Sequence, residues 1–492
     1  MKNSSLFLVR SRFHALAAAY VLASPAAVLR AETYYVAPMG SDAAPGSSAY
    51  PWATIQKACD SLKPGDTAIV RAGIYNEQVY FENSGNAEDG FITLRAEGKV
   101  VVTAIGLDDD NVFYIEDRSY LRIHGFEIRD LTTSDGSGIR VEGSGSHLEF
   151  IENRIHGIRG KNAMGITLYG TDTDRPLSDI LVSGNEIWDC DAAPSEALTL
   201  NGNVTRFQVI DNHLHDIRGI GIDFIGGEKG MVEDRSLVAR DGVCLRNRVE
   251  RARANYGGGY GAGIYVDGGR NILIEHNIVS ECDLGIEVGA ENPGAEATDI
   301  EVRGNIVRGN DKAGLVFGGY SRKAGRVHGC RFLNNLVSGN TAHKKAEAEL
   351  WIQIAGENLV RNNLIVGLPG AKRPLLRGDD GGAPVDLEFN LWFVPGGGAG
   401  VDLVDWDGKG FATLAAFADS TGLGHRAYPV DPMLAADGVH LSPGSPAIDA
   451  GDPRLDASGE IVRDLDGEER IQGAAVDLGP DEWSGGSRVT KS

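Results

Sequence analysis

The chain has 492 residues, of which 42% are hydrophobic and 24% are charged, and 66 are glycine. The glycines follow no three-residue period and aliphatic residues are plentiful, so the composition excludes collagen and wholesale disorder. The formal net charge at pH 7 is −22. Because nucleic-acid binding relies on a basic surface, this charge argues against a nucleic-acid partner.

The N-terminus has the features of a secretory signal peptide. Lys2, Arg10 and Arg12 precede an apolar run at residues 15–29, and Ala31 offers a small side chain for cleavage. We therefore expect residues 1–31 to be removed and the mature protein to be secreted or periplasmic. The apolar run is too short for a membrane anchor and no other one follows, so we expect no membrane association.

Residues 32–70 are expected to cap the first end of the fold. Residues 54–58 have helical spacing, and the turn PGDT at residues 64–67 leads into a strand. A short helix in this region would cover the otherwise open edge of the first strands.

Residues 71–395 repeat one pattern about every 30 residues. A short alternating strand precedes a recurring asparagine, and a second strand, led by glycine, follows most of these asparagines. This pattern predicts a parallel β-solenoid, in which each turn of the chain, here called a coil, stacks on the next at about 4.8 Å. We expect the asparagines to form one column whose amides bond to each other. They are Asn153, Asn185, Asn212, Asn247, Asn277, Asn305, Asn335 and Asn363.

The end of the chain has no such repeat. We expect residues 396–483 to close the solenoid with irregular structure and residues 484–492 to be disordered. The five cysteines are widely spaced, without a C-x-x-C pair, which predicts buried, inert thiols rather than a zinc site or a disulfide framework.

Segments near both ends resemble a known superfamily. The segments YYVAP at residues 34–38 and PWATIQ at residues 51–56 are similar to the opening of secreted right-handed parallel β-helix proteins. The segment SPAIDAG at residues 445–451 resembles their closing segment. That superfamily holds pectate lyases, chondroitinase-type lyases, uronan epimerases and several glycosidases. The resemblance implies an all-β, right-handed parallel β-helix and a carbohydrate substrate.

Aligned coils place polar side chains in an outward column, which predicts a functional groove. Asp223, Tyr265 and Glu287 occupy the same position of successive glycine-led strands, and Asp267 lies two residues after Tyr265. We expect Asp223 to tune or position the catalytic groups. The expected substrate-binding residues are Tyr265, Glu228, Glu291, Asn292, Lys312, Tyr320 and Trp351.

Asp267 and Glu287 are the candidate catalytic pair. They lie one coil apart with an offset of two residues, which puts their Cβ atoms roughly 8 Å apart. Carboxyl groups at such separations serve retaining or inverting glycosidases. Crowding by neighbouring acids would keep one of the two carboxyl groups protonated. In the retaining case, Asp267 would attack the anomeric carbon and Glu287 would protonate the leaving oxygen.

A shorter resemblance points to the same two residues. The segments GIYVD at residues 263–267 and DLGIEV at residues 283–288 resemble the active-site strands of the glycoside hydrolase family 120 β-xylosidases. The resemblance implies that Asp267 is the nucleophile and Glu287 the acid/base. A hydrolase of this kind would require no cofactor.

Two other functions stay open at this point. A polysaccharide lyase or uronan epimerase would use a base such as Lys312 or Tyr265, with Ca²⁺ held by Asp223, Asp267 and Glu287. A non-catalytic glycan-binding protein would show aromatic residues without paired acids. The paired acids favour an enzyme, and the acidic net charge favours hydrolysis of a neutral glycan.

Overall fold

The structure, a computed structural model, describes residues 31–370, 372–379, 385–397, 402–455 and 463–485. The predicted signal peptide, apart from Ala31, and residues 486–492 of the predicted tail lie outside these ranges. No helix in the described ranges is long and apolar enough to cross a membrane.

The described chain forms strands and two short helices, α1 (Ile55–Ser61) and α2 (Leu414–Thr421). The strands are β1 (Thr33–Val36), β2 (Thr67–Asn76), β3 (Val79–Tyr80), β4 (Ile92–Thr103), β5 (Asn111–Glu116), β6 (Leu121–His124), β7 (Glu127–Thr133), β8 (Gly136–Gly143), β9 (Gly145–Ile151), β10 (Arg154–Gly160), β11 (Ala163–Gly170), β12 (Leu177–Ser183), β13 (Glu186–Cys190), β14 (Glu196–Gly202), β15 (Val204–Ile210), β16 (His213–Ile217), β17 (Ile220–Ile225), β18 (Arg240–Leu245), β19 (Arg248–Ala252), β20 (Ala262–Asp267), β21 (Arg270–Glu275), β22 (Ile278–Ser280), β23 (Leu284–Gly289), β24 (Glu296–Arg303), β25 (Ile306–Arg308), β26 (Ala313–Phe317), β27 (Arg326–His328), β28 (Arg331–Leu333), β29 (Leu336–Ser338), β30 (Ala348–Ile352), β31 (Asn358–Arg361), β32 (Leu364–Val366), β33 (Leu376–Gly378), β34 (Val385–Asp386), β35 (Leu391–Phe393), β36 (Val404–Trp406) and β37 (Lys409–Phe411).

Each middle coil contributes three strands, and each strand pairs in parallel with its counterparts in the coils before and after. The pairs β12–β15–β18–β21 belong to a first stack, the pairs β13–β16–β19–β22 to a second, and the pairs β14–β17–β20–β23 to a third. The third stack is a separate 13-stranded sheet, in which only the last pairing, β36–β37, is antiparallel within the described residues. The fold is an all-β, right-handed parallel β-helix, as predicted.

Period-two alternation packs the interior of the solenoid. Ile222, Ile264, Ile286 and Leu315 are register partners on successive strands of the third stack, and all four are buried. The residues between them therefore face outward on this stack, which is where the predicted functional column lies.

The predicted asparagine column is confirmed. From residue 153 to residue 363, the backbone N–H and the side-chain Nδ2 of each asparagine both donate to Oδ1 of the next, at 2.8–3.1 Å. The column extends to Asn390, one coil beyond the predicted set. A second, shorter column runs through Asn310 and Asn340 to the buried Glu349.

Helix α1 packs into the core through its buried residues Ile55, Ala58 and Cys59. The Thr54 hydroxyl accepts a hydrogen bond from Lys57 N–H, and the Glu77 carboxylate accepts from Ile55 N–H at the start of the helix. These contacts satisfy amide groups that have no partner inside the helix.

The C-terminal segment lies along the second stack. Leu336 and Leu364, which face outward from that stack, pack in one buried cluster with Val439, Leu441 and Leu478. Apolar side chains of this stack therefore need the C-terminal segment as a cover. The five cysteines are free and buried, as predicted.

Candidate active site

The structure places the predicted column in register on the third stack. Asp223 on β17 pairs with Tyr265 on β20, and Tyr265 pairs with Glu287 on β23. Asp267 lies at the end of β20, opposite Gly289. Tyr265 therefore lies between Asp223 and Glu287, and Asp267 is offset from that row by two residues.

The carboxyl groups are less exposed than the sequence suggested. We expected them to face solvent, whereas Asp223 is 2% exposed and Asp267 is 7% exposed. The loop that follows β23 contacts Asp267, since Glu291 N–H donates to Asp267 Oδ1 at 2.6 Å. The Tyr256 hydroxyl donates to Pro194 O at 3.2 Å and so joins two neighbouring loops. The periodicity of the strands predicts the outward column, but it does not predict the course of the loops beside that column.

A cleft of about 510 Å³ opens over these strands. Five carboxylate residues line it, and we call it the acidic cleft. They are Glu196, Asp223, Glu228, Asp267 and Glu291. Tyr169, Tyr256, Tyr265 and Tyr320 add aromatic surface, and no Lys, Arg or His is among its described lining residues.

Burial and mutual repulsion favour the protonated form of these acids. Burial raises the pKa of Asp267 to about 7, although its carboxylate accepts the Glu291 amide. Burial, together with the charges of Glu291 and Asp267, raises the pKa of Glu287 to about 8. Burial raises the pKa of Glu196, with added repulsion by Glu228 and Asp267, and burial raises the pKa of Asp223, with added repulsion by Glu196 and Asp267.

Two buried oxygen atoms in the acidic cleft have no hydrogen-bond partner among the described residues. They are Asp223 Oδ1 and Asn201 Oδ1. An unpaired buried polar atom is costly, so both atoms are expected to bind a ligand group or water.

Glu287 does not line the acidic cleft. It lies beyond Tyr265 in the register and is half-buried. Gly289 leaves room for the Tyr265 ring, since a Cβ at residue 289 would lie 2.8 Å from the Tyr265 hydroxyl oxygen. A substrate that contacts both Asp267 and Glu287 must therefore pass the edge of Tyr265.

The predicted substrate-binding residues divide into two groups. Tyr265, Glu228, Glu291, Asn292 and Tyr320 line the acidic cleft. Tyr320 is 68% exposed and stands at the rim.

Lys312 and Trp351 form the second group and do not line the acidic cleft. Lys312 Nζ donates to Gly258 O and lies 3.4 Å from the centre of the Tyr260 ring, so it fastens the loop before β20. Trp351 Nε1 donates to Asp379 Oδ2 at 2.7 Å, two coils beyond Glu287.

Glu196 is the cleft residue that sequence reasoning missed. It begins β14, three residues before Thr199, and Thr199 is the register partner of Asp223. The predicted column consists of residues near strand centres, whereas Glu196 is the first residue of its strand. An acidic residue directly after the turn Ala192–Ser195 was the available signal.

Comparisons with known proteins agree with this architecture. Residues 34–203 match the family described as Pel9A-like, right handed beta helix region, and residues 196–335 match the family described as Right handed beta helix region. The uncharacterized protein YwoF of Bacillus subtilis (strain 168) is 31% identical over 444 residues, which cover 84% of this chain and 91% of YwoF. The chain belongs to the YwoF family of right-handed β-helix proteins.

The solved structure of XylC shares the fold of this chain at low sequence identity. The complex of XylC with xylose aligns with a TM-score of 0.52 and 14% identity, over 91% of this chain and 98% of XylC. Pectate lyase Pel9A aligns with a TM-score of 0.42 and 16% identity, over 92% of this chain and 96% of Pel9A.

Proposed function

We propose that this protein is a carbohydrate-active enzyme that hydrolyses glycosidic bonds. Asp267 acts as the ionised carboxylate and Glu287 as the proton donor. The observation that carries the proposal is the arrangement of three acids around Tyr265 on adjacent strands, with Asp223 and Glu287 on its two sides and Asp267 beside it.

The proton states suit this division of roles. Glycosidic bond hydrolysis needs one carboxylic acid and one carboxylate at the same pH. The pKa of Asp267 is raised to about 7 and that of Glu287 to about 8, so Asp267 loses its proton first. Near pH 7.5, roughly midway between these values, the ionised Asp267 and the protonated Glu287 coexist in much of the population.

The separation of Asp267 and Glu287 also agrees with glycosidic bond hydrolysis. Glu287 lies one strand from Tyr265, and Asp267 lies two residues along, so the Cβ atoms of the two acids are about 8 Å apart at standard strand spacings. Side-chain rotation spans the separations of both glycosidase classes, and both stereochemical outcomes stay open.

A sugar also suits the remaining walls. Tyrosine rings offer flat faces for the apolar side of a pyranose, and Asn292 and Glu228 offer hydrogen-bonding groups for hydroxyls. The XylC structure holds xylose, and we propose that a sugar also occupies this cleft.

Glu196 is the alternative proton donor. It lines the acidic cleft, which Glu287 does not, and burial with repulsion by Glu228 and Asp267 raises its pKa. A substrate confined to the cleft would reach Glu196 and Asp267 without passing Tyr265.

Calcium-assisted elimination is the second candidate function, favoured by the unpaired oxygen atoms of Asp223 and Asn201. Carboxylate and amide oxygens are the ligands that Ca²⁺ prefers, and Glu196 and Asp267 would complete the set. The ion would neutralise the uronate carboxylate. The two expected bases are poorly suited, however: Lys312 fastens a loop, and burial keeps the pKa of Tyr265 well above its usual value.

A panel of neutral and uronic oligosaccharides separates the two functions. We expect new reducing ends without ultraviolet-absorbing products, and a loss of about 10²–10⁴-fold in kcat/KM for Asp267→Asn. Asp60→Asn, an isosteric change on the exposed side of α1, is the matched control. An ultraviolet-absorbing unsaturated uronate, lost on chelation, would establish elimination instead.

The identity of the proton donor is tested with two leaving groups. A variant that lacks the donor should recover activity on an aryl glycoside whose phenolate leaves without protonation. We expect this recovery in Glu287→Gln. Recovery in Glu196→Gln alone would assign the role to Glu196.

A further inference from the structure

A second cluster of chemically active side chains lies on the second stack, away from the acidic cleft. It consists of Glu186 on β13 and of His213 and His215 on β16, and we call it the histidine cluster. One ligand atom from each residue lies within 4.8 Å of the others, and all three side chains are partly exposed.

Strand geometry explains why these residues converge. His213 and His215 are two residues apart on one strand, so both side chains face the same side of the sheet. Glu186 is the register partner of His213 on the preceding coil, about 4.8 Å away across the stack. Two histidines and a carboxylate therefore meet over two adjacent strands.

The orientation of His215 is fixed by its neighbours. Its ring stacks on Trp188 with an interplanar angle of 9°, and its Nδ1 lies 2.7 Å from Asp216 Oδ2. Its other nitrogen, Nε2, faces Glu186 Oε1 at 3.5 Å. Asp216 thus holds one ring nitrogen and leaves Nε2 directed at the cluster, as carboxylates do behind metal-bound histidines.

The other two residues are held in the same way. His213 Nε2 lies 3.0 Å from Glu250 Oε2 on the following coil. Arg154 Nε donates to Glu186 Oε2 at 2.8 Å, which leaves Oε1 of Glu186 on the histidine side. Each member of the cluster therefore has one atom bound by a neighbour and a second atom for a ligand.

We propose that the histidine cluster binds Zn²⁺ or a similar divalent transition-metal ion. Two imidazole nitrogens and one carboxylate oxygen are a ligand set that Zn²⁺ commonly uses, and a water molecule completes four-coordination. The ion links β13 to β16 and so ties two successive coils together. This site is independent of the proposed glycoside hydrolysis.

The test titrates the full chain, freed of metal by chelation, with Zn²⁺ by calorimetry and with Co²⁺ by visible absorption. We expect one saturable Zn²⁺ equivalent at the histidine cluster and Co²⁺ bands of a four-coordinate site. His213→Ala, His215→Ala and Glu186→Gln should each lower the affinity at least about tenfold. Glu186→Gln keeps both imidazoles and the side-chain shape, so weaker binding by this variant does not arise from misfolding.

Two histidine variants elsewhere serve as controls. His328→Ala removes a surface histidine that lies 3.7 Å from Glu296, and His440→Ala removes the histidine of the other group that has metal-ligand spacing. Both should bind Zn²⁺ like the parent protein. The proposal would be overturned by no saturable binding, by parental affinity in the three cluster variants, or by a loss confined to His440→Ala.

Discussion

At the residue scale, burial sets the proton state of the candidate catalytic groups. Asp267 and Glu287 lie on adjacent strands in similar surroundings, yet only Asp267 accepts a backbone hydrogen bond among the described contacts. Burial is the largest cause for both groups and raises the pKa of Asp267 to about 7 and that of Glu287 to about 8. The backbone hydrogen bond favours the ionised form of Asp267, whereas the charges of Glu291 and Asp267 further raise the pKa of Glu287.

Because Asp267 must be ionised and Glu287 protonated, we expect a bell-shaped dependence of kcat/KM on pH. Activity should rise as Asp267 loses its proton near pH 7 and fall as Glu287 loses its proton near pH 8. In Glu287→Gln, measured on an aryl glycoside with a good leaving group, the alkaline fall should disappear while the acidic rise remains. An alkaline limb that is unchanged in this variant would exclude Glu287 as the titrating acid.

A substitution at Gly289 tests whether the position of the Tyr265 ring matters for activity. A methyl group at residue 289 would lie 2.8 Å from the Tyr265 hydroxyl oxygen and 3.0 Å from Cε2, so Gly289→Ala should displace the ring. We expect a loss of up to about 10²-fold in kcat/KM with little change in Tm, because the position of catalytic groups matters at the ångström scale.

The control for that substitution is Tyr265→Phe, alone and combined with Gly289→Ala. Tyr265→Phe removes the hydroxyl oxygen, which is the atom closest to a methyl group at residue 289. Adding Gly289→Ala to Tyr265→Phe should therefore reduce kcat/KM by a smaller factor than Gly289→Ala does in the parent protein. Parental activity in Gly289→Ala would mean that Tyr265 does not order the site.

At the scale of elements, the sequence best predicts which residues of successive coils are aligned in the parallel strands. Asp223, Tyr265 and Glu287 could be aligned because a glycine stands two residues before each of them and aliphatic residues alternate after that glycine. The asparagine column was found for the same reason. Glu196 was not found because it begins its strand, away from the aligned centre. The burial of Asp267 was not found because loops of unequal length carry no period from which their course could be derived.

The asparagine column gives a prediction about stability. Asn277 Oδ1 accepts from the backbone and side chain of Asn247, and its Nδ2 donates to Cys244 O and Asn305 Oδ1. Asn277→Ala leaves buried groups unpaired, at about 1–3 kcal/mol each, so the free energy of unfolding in urea should fall by at least about 2 kcal/mol.

Asn83→Ala is the matched substitution outside the column. The Asn83 amide makes only 3.3 Å contacts to Cys59 O and Asp60 O, so its loss should cost less than about 1 kcal/mol. Equal effects of the two substitutions would show that the column adds nothing specific to stability.

At the scale of the whole molecule, the negative charge of the protein distinguishes neutral glycans from uronic glycans as substrates. The formal net charge is −22, and no Lys, Arg or His is among the described residues lining the acidic cleft. A polyuronate would be repelled by this field, whereas a neutral glycan would not. The fold itself does not distinguish the two, since right-handed β-helices carry several chemistries.

The salt dependence of KM therefore tests whether the protein repels uronic substrates. For a neutral glycan, KM should stay constant from low to physiological ionic strength. For a uronic oligosaccharide of the same length, KM should fall as salt screens the repulsion. A KM for the uronic substrate that rises with salt would indicate attraction, and hence a cationic site that this account does not contain.

In the proposed mechanism, acids from neighbouring coils act together on one glycosidic bond. The most direct measurement is kcat/KM for Asp267→Asn, Glu287→Gln and the double variant on one natural substrate. Groups that act as a unit are strongly non-additive, so the double variant should be no more than a few-fold less active than the weaker single variant. Single variants with parental activity, or losses that simply multiply in the double variant, would contradict this mechanism.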